Sequence, residues 1–197
     1  MNIAAALPRI TRAAEGMNRR RFTVAEIEAM VRAGVMDEDE RVELIGGELV
    51  PMSPKGNRHE AMKTKLLRRW NRVAPDDLDI TPETTLHLSS DTYLEPDLVI
   101  YPSAEGIGGL CAENVLLVVE IADSSRRYDL GRKARLYSGF GIRELWVIDA
   151  VKRTLRAHLK PTADGYGETR DFSRGDLATP TFAPDVFALR LNALEIR

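Results

Sequence analysis

The most constraining stretch of this 197-residue chain is an apolar run with one acid inside it, VLLVVEI from Val115 to Ile121. Continuous apolar character bounded by polar residues is the pattern of a strand covered on both faces. Side chains alternate along a strand, so Glu120 shares a face with Leu116 and Val118 and cannot simply look out into water. The preceding run, DLVIY, repeats the problem, because Asp97 shares its face with Val99 and Tyr101. Two acids on successive strands thus fall where a charge is retained only when it is paired or bound.

The next segment changes period. Leu130, Ala134, Tyr137 and Phe140 recur at helical spacing, which predicts an amphipathic helix following Ser125. At about 100° per residue Lys133 lies between Tyr137 and Phe140, whereas Arg132 and Arg135 project to the other side. One lysine of a basic helix therefore faces the sheet, and Asp129, four residues earlier, is spaced for an ion pair with it. A divalent cation between Asp97 and Glu120 would offset their mutual repulsion, with Lys133 beside it. Neutralising one of two repelling carboxylates is then expected to raise thermal stability.

These residues belong to a series of motifs in fixed order. They are ERVELIGGELVPMSP with a following His59, EPDLVI, VVEIADSS, D-x-x-x-K-x-x-x-Y from Asp129 to Tyr137, and GIRELWVID. Together they resemble the PD-(D/E)xK nuclease superfamily and, more narrowly, its Uma-type restriction endonucleases, from Phe22 to the C-terminus. The resemblance implies a restriction-endonuclease-like α/β fold, a mixed sheet flanked by helices with additional β-hairpins. It also implies a metal-dependent DNA endonuclease, with Asp97 and Glu120 as ligands to Mg²⁺ or Mn²⁺ and Lys133 as the catalytic lysine. Glu43 and His59 match accessory catalytic positions. The superfamily's usual lysine, two residues after the glutamate, is Ala122 here. The Uma-type pattern takes it instead from the following helix, which Lys133 matches.

Composition narrows the class of function. A hydrophobic fraction of 44% with 29% charged residues describes a globular chain, and the length suits one domain. The single Cys111 excludes an intramolecular disulfide and fits a cytoplasmic setting. No apolar run approaches the roughly 18 residues that cross a bilayer, so no membrane partner is expected. A net charge of −2 argues against a protein that coats nucleic acid nonspecifically. Basic residues nevertheless concentrate in Arg9 to Arg21, Lys55 to Arg72 and Arg126 to Arg135. A nuclease-derived module that binds nucleic acid or protein without turnover is the alternative reading. Double-strand cleavage needs two sites, which makes a homodimer the expected assembly.

Residues 1–21 read as an N-terminal extension and 22–197 as a single domain. Thr23 and Glu26 form a capping box, with Phe22 and Ile27 as its staple, ahead of a helix ending at Gly34. Gly46-Gly47 marks a hairpin, and alternation along its first strand points Glu43 outward. A helix from Arg58 to Val73 carries Met62, Leu66, Trp70 and Val73 as its core stripe, with His59 at its start and Lys63, Lys65, Arg68, Arg69 and Arg72 as a basic side. Strands near Ile80–Leu88 and Tyr93–Tyr101 form an antiparallel pair, and the glycine-containing loop 102–112 reads as simply flexible. ELWVID is a core strand with Trp146 and Ile148 on one face. TLRAHLK reads as an edge strand with His158 exposed, and the remainder as short strands and a closing tail. The acids are expected at the sheet edge, where the Lys133 helix meets it.

Overall fold

The computed structural model describes residues 16–122 and 127–194, apart from the side chains of 127–130. Among these residues no helix is long and apolar enough to cross a membrane. The chain forms two compact units, one comprising the described residues to Pro54 with Leu88–Leu94, the other Lys55–His87 with the chain from Glu95 onward.

The first unit begins with α1 (Val24–Arg32), capped as its sequence predicts. The Thr23 hydroxyl accepts the Glu26 N–H and the Glu26 carboxylate accepts the Thr23 N–H. Strands β1 (Val42–Ile45) and β2 (Glu48–Pro51) pair antiparallel. Gly46 and Gly47 make the turn, with φ of 57° and 83°, the left-handed values that a two-residue hairpin requires. At Gly47 a side chain is excluded twice over, since a Cβ would stand 2.5 Å from Arg21 Cβ. Ile27, Met36, Val42 and Leu44 make a small core of their own.

The expected hairpin is cut in two. It consists of β3 (Leu78–Pro82), β4 (Leu86–Ser89), β5 (Thr92–Leu94) and β6 (Leu98–Pro102). Its base, β3 with β6, belongs to the main sheet, and its tip, β4 with β5, joins β1 and β2 in the order β2-β1-β5-β4. The breaks fall at Glu83–Thr85 and Glu95–Asp97, each next to a proline, which cannot donate to a ladder.

The second unit is built on a six-stranded mixed sheet. It adds β7 (Leu117–Ala122), β8 (Glu144–Asp149), β9 (Thr154–Thr162) and β10 (Gly165–Phe172), in the order β10-β9-β8-β7-β6-β3. Only β7 and β8 are parallel, as the helix α3 (Arg127–Gly139) between them demands. The helix stops at a left-handed Gly141 (φ 80°), where Ile142 N–H reaches the Tyr137 carbonyl. On one face of the sheet, α2 (Asn57–Trp70) packs Met62, Leu66 and Trp70 onto Leu117, Val119, Ile121, Trp146 and Ile148. The tail closes this layer with Phe187, Leu189 and Leu191. On the other face α3 contacts β7, β8, β9 and β10. Every residue of β7 is consequently buried, which is why its sequence shows no alternation.

Several expectations change. Val73 lies beyond α2 and is exposed. Strand β9 is interior, because residues 165–172 form one long strand along its outer side. His158 is accordingly half-buried and packs against Tyr166, with ring centroids 5.4 Å apart and the planes tilted by 51°. The glycines of loop 102–112 lie among two short 3-10 turns, Ser103–Glu105 and Ile107–Gly109. Asn114 ties the second down by accepting from Cys111 N–H and donating to the Gly109 carbonyl.

Candidate active site

Strand β6 pairs with β7 only as far as Leu98 opposite Val119. Beyond that point β7 continues beside β8 alone, so the N–H of Ile121 loses its strand partner. Asp97, in the bend before β6 rather than in the strand, takes it over. Its Oδ2 accepts the Ile121 N–H at 2.7 Å. Glu120 lies immediately before Ile121 and turns toward α3, where its Oε1 accepts from Tyr137 Oη at 2.7 Å and from Lys133 Nζ at 3.3 Å. Asp97 is 3% exposed and Glu120 5%. The two acids are thus joined through one peptide unit, at the end of a central strand rather than at the sheet edge.

Around Asp97 the structure assembles a closed ring in which carboxylates alternate with nitrogen groups. His59, from the first turn of α2, directs Nε2 to Asp97 Oδ2 at 2.9 Å and Nδ1 to Glu60 Oε1 at 3.1 Å. Lys63 Nζ joins Glu60 Oε2 and Glu83 Oε1, each at 2.8 Å. Lys55 Nζ lies 2.5 Å from the same Glu83 oxygen and 2.9 Å from Asp97 Oδ1, which closes the circuit. Glu83 is held opposite Asp97 by backbone as well, its N–H donating to the Asp97 carbonyl at 3.3 Å. It pays for that place with φ of 49°, uncommon for a residue with a Cβ.

The electrostatics follow from the ring. Burial by itself would raise the Asp97 carboxyl, but the His59 hydrogen bond and the Lys55 charge outweigh it and hold it at about 2. Glu83 behaves alike: burial opposes its ionisation, yet Lys55 and Lys63 bring it down to about 2. For Lys55 burial disfavours the charge, and the neighbouring Asp97 and Glu83 more than compensate, leaving its pKa raised. The expected repulsion between two bare carboxylates is therefore replaced by local neutralisation, and the predicted stability gain on neutralising Asp97 reverses in sign. A buried ion whose partner is removed is left uncompensated.

Of the five residues singled out in the sequence, the structure brings four into one connected site, namely Asp97, Glu120, Lys133 and His59. Glu43 belongs to the first unit. It is 4% exposed rather than outward-facing, and its neighbours Val42 and Leu44 on the opposite face of β1 are buried too. The Asp129 partnership with Lys133 lies outside the described side chains. Lys63, read as part of the basic side of this helix, is only 7% exposed because it turns into the ring, leaving Lys65, Arg68, Arg69 and Arg72 to line a groove with Val73 and Leu194. Sequence reading passed over Lys55 and Glu83. One signal was available: Pro82 and Pro96 interrupt the two arms of a hairpin at matching positions, which sets the acids beside them face to face.

Not every buried acid belongs to this site. Glu144, 1% exposed, accepts from Trp146 Nε1 at 2.6 Å and from the N–H and hydroxyl of Thr181 at 2.8 and 2.6 Å. It fastens the tail to the sheet. Asp149 caps the turn after β8 by accepting the N–H groups of Val151 and Lys152.

A divalent cation can be tested against this donor set. Among the described residues no group of three His, Cys, Asp or Glu side chains stands ready to hold a metal. Mg²⁺ needs fewer, because it retains waters and is satisfied by one or two carboxylates. Asp97 and Glu120 are of the right chemical kind. Oδ2 of Asp97 is filled by two donors whereas Oδ1 meets Lys55 alone, so the residues fit a cation at Oδ1, beside the Lys55 ammonium.

Comparison with known proteins agrees with this architecture. The profile of the Uma2 family, described as "Putative restriction endonuclease", matches residues 24–192. A solved structure of a protein described as a putative nuclease of the DUF820 family, from Anabaena variabilis, superposes with a TM-score of 0.70 at 15% sequence identity. The match covers 88% of this chain and 97% of that one. At that identity the likeness speaks for the fold. No curated protein matches the chain.

Proposed function

Since the chain belongs to the Uma2 family of restriction-endonuclease-like proteins, we propose that it is a metal-dependent endonuclease hydrolysing phosphodiester bonds in DNA. The observation that carries the reading is the convergence at Glu120. Its Oε1 receives both Lys133 and Tyr137, while the adjacent Ile121 N–H is bound by Asp97. The family resemblance implies two acids and a lysine at the centre, and here the three come from a bend, a strand and a helix.

In this reading Asp97 and Glu120 hold the cation. The chemistry a bound divalent cation supplies is polarisation of the scissile phosphate and neutralisation of charge on the leaving oxygen. Lys133, half-buried beside Glu120, orients the attacking water and sets a positive charge against the phosphoryl oxygens. Tyr137 fixes Glu120 from the other side. His59 holds Asp97 and acts as an accessory group, and Glu43 has the same standing by its place in the family motif. The exposed cations of α2 offer phosphate contacts. Two copies would cut two strands, so the active assembly is a homodimer, which light scattering at micromolar concentration checks. A single Cys111 suits a reducing cytoplasm.

The test is cleavage of plasmid and single-stranded DNA by purified protein with Mg²⁺ or Mn²⁺. Absence of cleavage over a broad panel would count against the proposal. DNA binding that is independent of metal and steeply dependent on salt would favour a binding module without turnover.

A further inference from the structure

We infer that Lys55 is a built-in counter-ion that occupies Asp97 in the metal-free protein and competes with the divalent cation for it. The inference rests on the metal-dependent reading above and assigns to this chain a residue that gates its metal site.

Asp97 has two oxygens: Oδ2 is committed to His59 Nε2 and to the Ile121 N–H, both of which belong to the frame of the fold. Oδ1 is held by Lys55 Nζ at 2.9 Å. The Lys55 side chain is 9% exposed, so its ammonium is not a solvated surface charge resting nearby. Oδ2 is thereby filled, and a cation approaching the remaining lone pair of Oδ1 would stand against the Lys55 ammonium unless one of these partners withdraws. The backbone N–H is held in place by the pairing of β7 with β8, and His59 is anchored in the first turn of α2, where it is 5% exposed. Lys55 precedes that helix, on a flexible four-carbon stem. It is the partner that can withdraw.

Glu83 gives it somewhere to go. Its Oε1 is already 2.5 Å from Lys55 Nζ, and it is shared with Lys63. When Lys55 gives up Asp97 it retains an ion pair and does not become an orphaned buried charge, the outcome that would otherwise make release prohibitive. The left-handed backbone at Glu83 marks a position imposed by its surroundings. Electrostatically the exchange is favourable in kind, since a divalent ion joining the ring while Lys55 occupied Asp97 would face an ammonium in direct contact with its ligand.

Competition has a quantitative signature, because the apparent affinity of a site is lowered by the fraction of molecules in which it is blocked. Isothermal titration with Mn²⁺ should show Lys55→Met binding at least about ten-fold more tightly than wild type, as if a block on roughly nine molecules in ten had been lifted. Lys63→Met is the control. It removes one positive charge from the same ring without touching Asp97, and should tighten binding less than about three-fold if direct occupancy is what matters. Thermal unfolding is a second readout: metal-free Lys55→Met should melt below wild type, and Mn²⁺ should restore it more than it raises wild type. Lys55→Leu, which likewise removes both the charge and the donor, serves if the Met variant does not fold. Equal tightening in the Lys55 and Lys63 variants would overturn the inference in favour of a general charge effect. Unchanged or weaker Mn²⁺ binding in the Lys55 variants would overturn it while leaving the metal-dependent reading intact. Absence of Mn²⁺ binding in every variant and in wild type would overturn both.

Discussion

The carboxylate of Asp97 completes the hydrogen bonding of the strand that carries Glu120, accepting the Ile121 N–H at 2.7 Å where strand β6 has come to an end. One acid of the site is thereby part of the backbone scaffold of the other. Displacing Asp97 would disturb the strand as well as the charge.

This relation sets the outcome for Asp97→Asn. The amide can still meet the Ile121 N–H through its oxygen, but Lys55 and His59 lose their buried anion. Stability should fall by about 3–5 kcal/mol, the usual cost of breaking a buried pair from one side, and Mn²⁺ binding and cleavage should fall with it. Chemical denaturation of wild type and variant checks the first part. An unchanged or raised midpoint would show that the charge ring is not stabilising.

Lys133→Met separates chemistry from architecture. Met retains the apolar stem, so folding and Mn²⁺ affinity should be close to wild type while the cleavage rate falls by roughly two to four decades, the scale of losing a positioned acid–base or electrostatic group. Cleavage at the wild-type rate would remove Lys133 from the site and make His59 the next candidate.

Tyr137→Phe should act mainly on stability. The phenol donates to a buried carboxylate at 2.7 Å, and its loss leaves Glu120 short of one donor, at a cost of about 1–3 kcal/mol. Cleavage should fall less than for Lys133→Met. A rate loss equal to that of Lys133→Met would place the phenol among the reacting groups.

Acid should loosen the second unit in a defined window. Asp97 and Glu83 are depressed to about 2 from ordinary values of 3.8 and 4.5. Groups with depressed folded-state values contribute stability that is present above the unfolded values and disappears as pH falls through the folded ones. Unfolding free energy should thus decline from about pH 4.5 downward and go on declining toward pH 2. Glu83→Gln should flatten that decline. Urea midpoints measured across this range test it, and parallel slopes for the two proteins would exclude Glu83 as a contributor.

Local pattern was sufficient to identify most of this molecule. The Thr23–Glu26 cap, the Gly46-Gly47 hairpin, the buried strand around Glu120 and the inward face of α3 with Lys133 are all properties of neighbouring residues, and neighbouring residues set dihedral preference and side-chain period. Asp97, Glu120 and Lys133 were therefore legible as a set, because each is a charge on an apolar pattern. The charge ring was not. Lys55 lies in a loop after Pro54 and Glu83 in a broken hairpin, and neither segment has a period from which an inward direction could be read. Lys63 and Glu43 were misdirected for the complementary reason. Helix and strand periodicity assign a face, but whether that face meets solvent depends on what packs against it. For Lys63 this is Glu83, twenty residues away. Sequence alone determined which groups this protein has at its disposal and where its elements begin. Only the tertiary structure decided which charges neutralise one another, because ion pairing acts through distances of a few ångströms and the chain brings those atoms together from segments that share no local pattern.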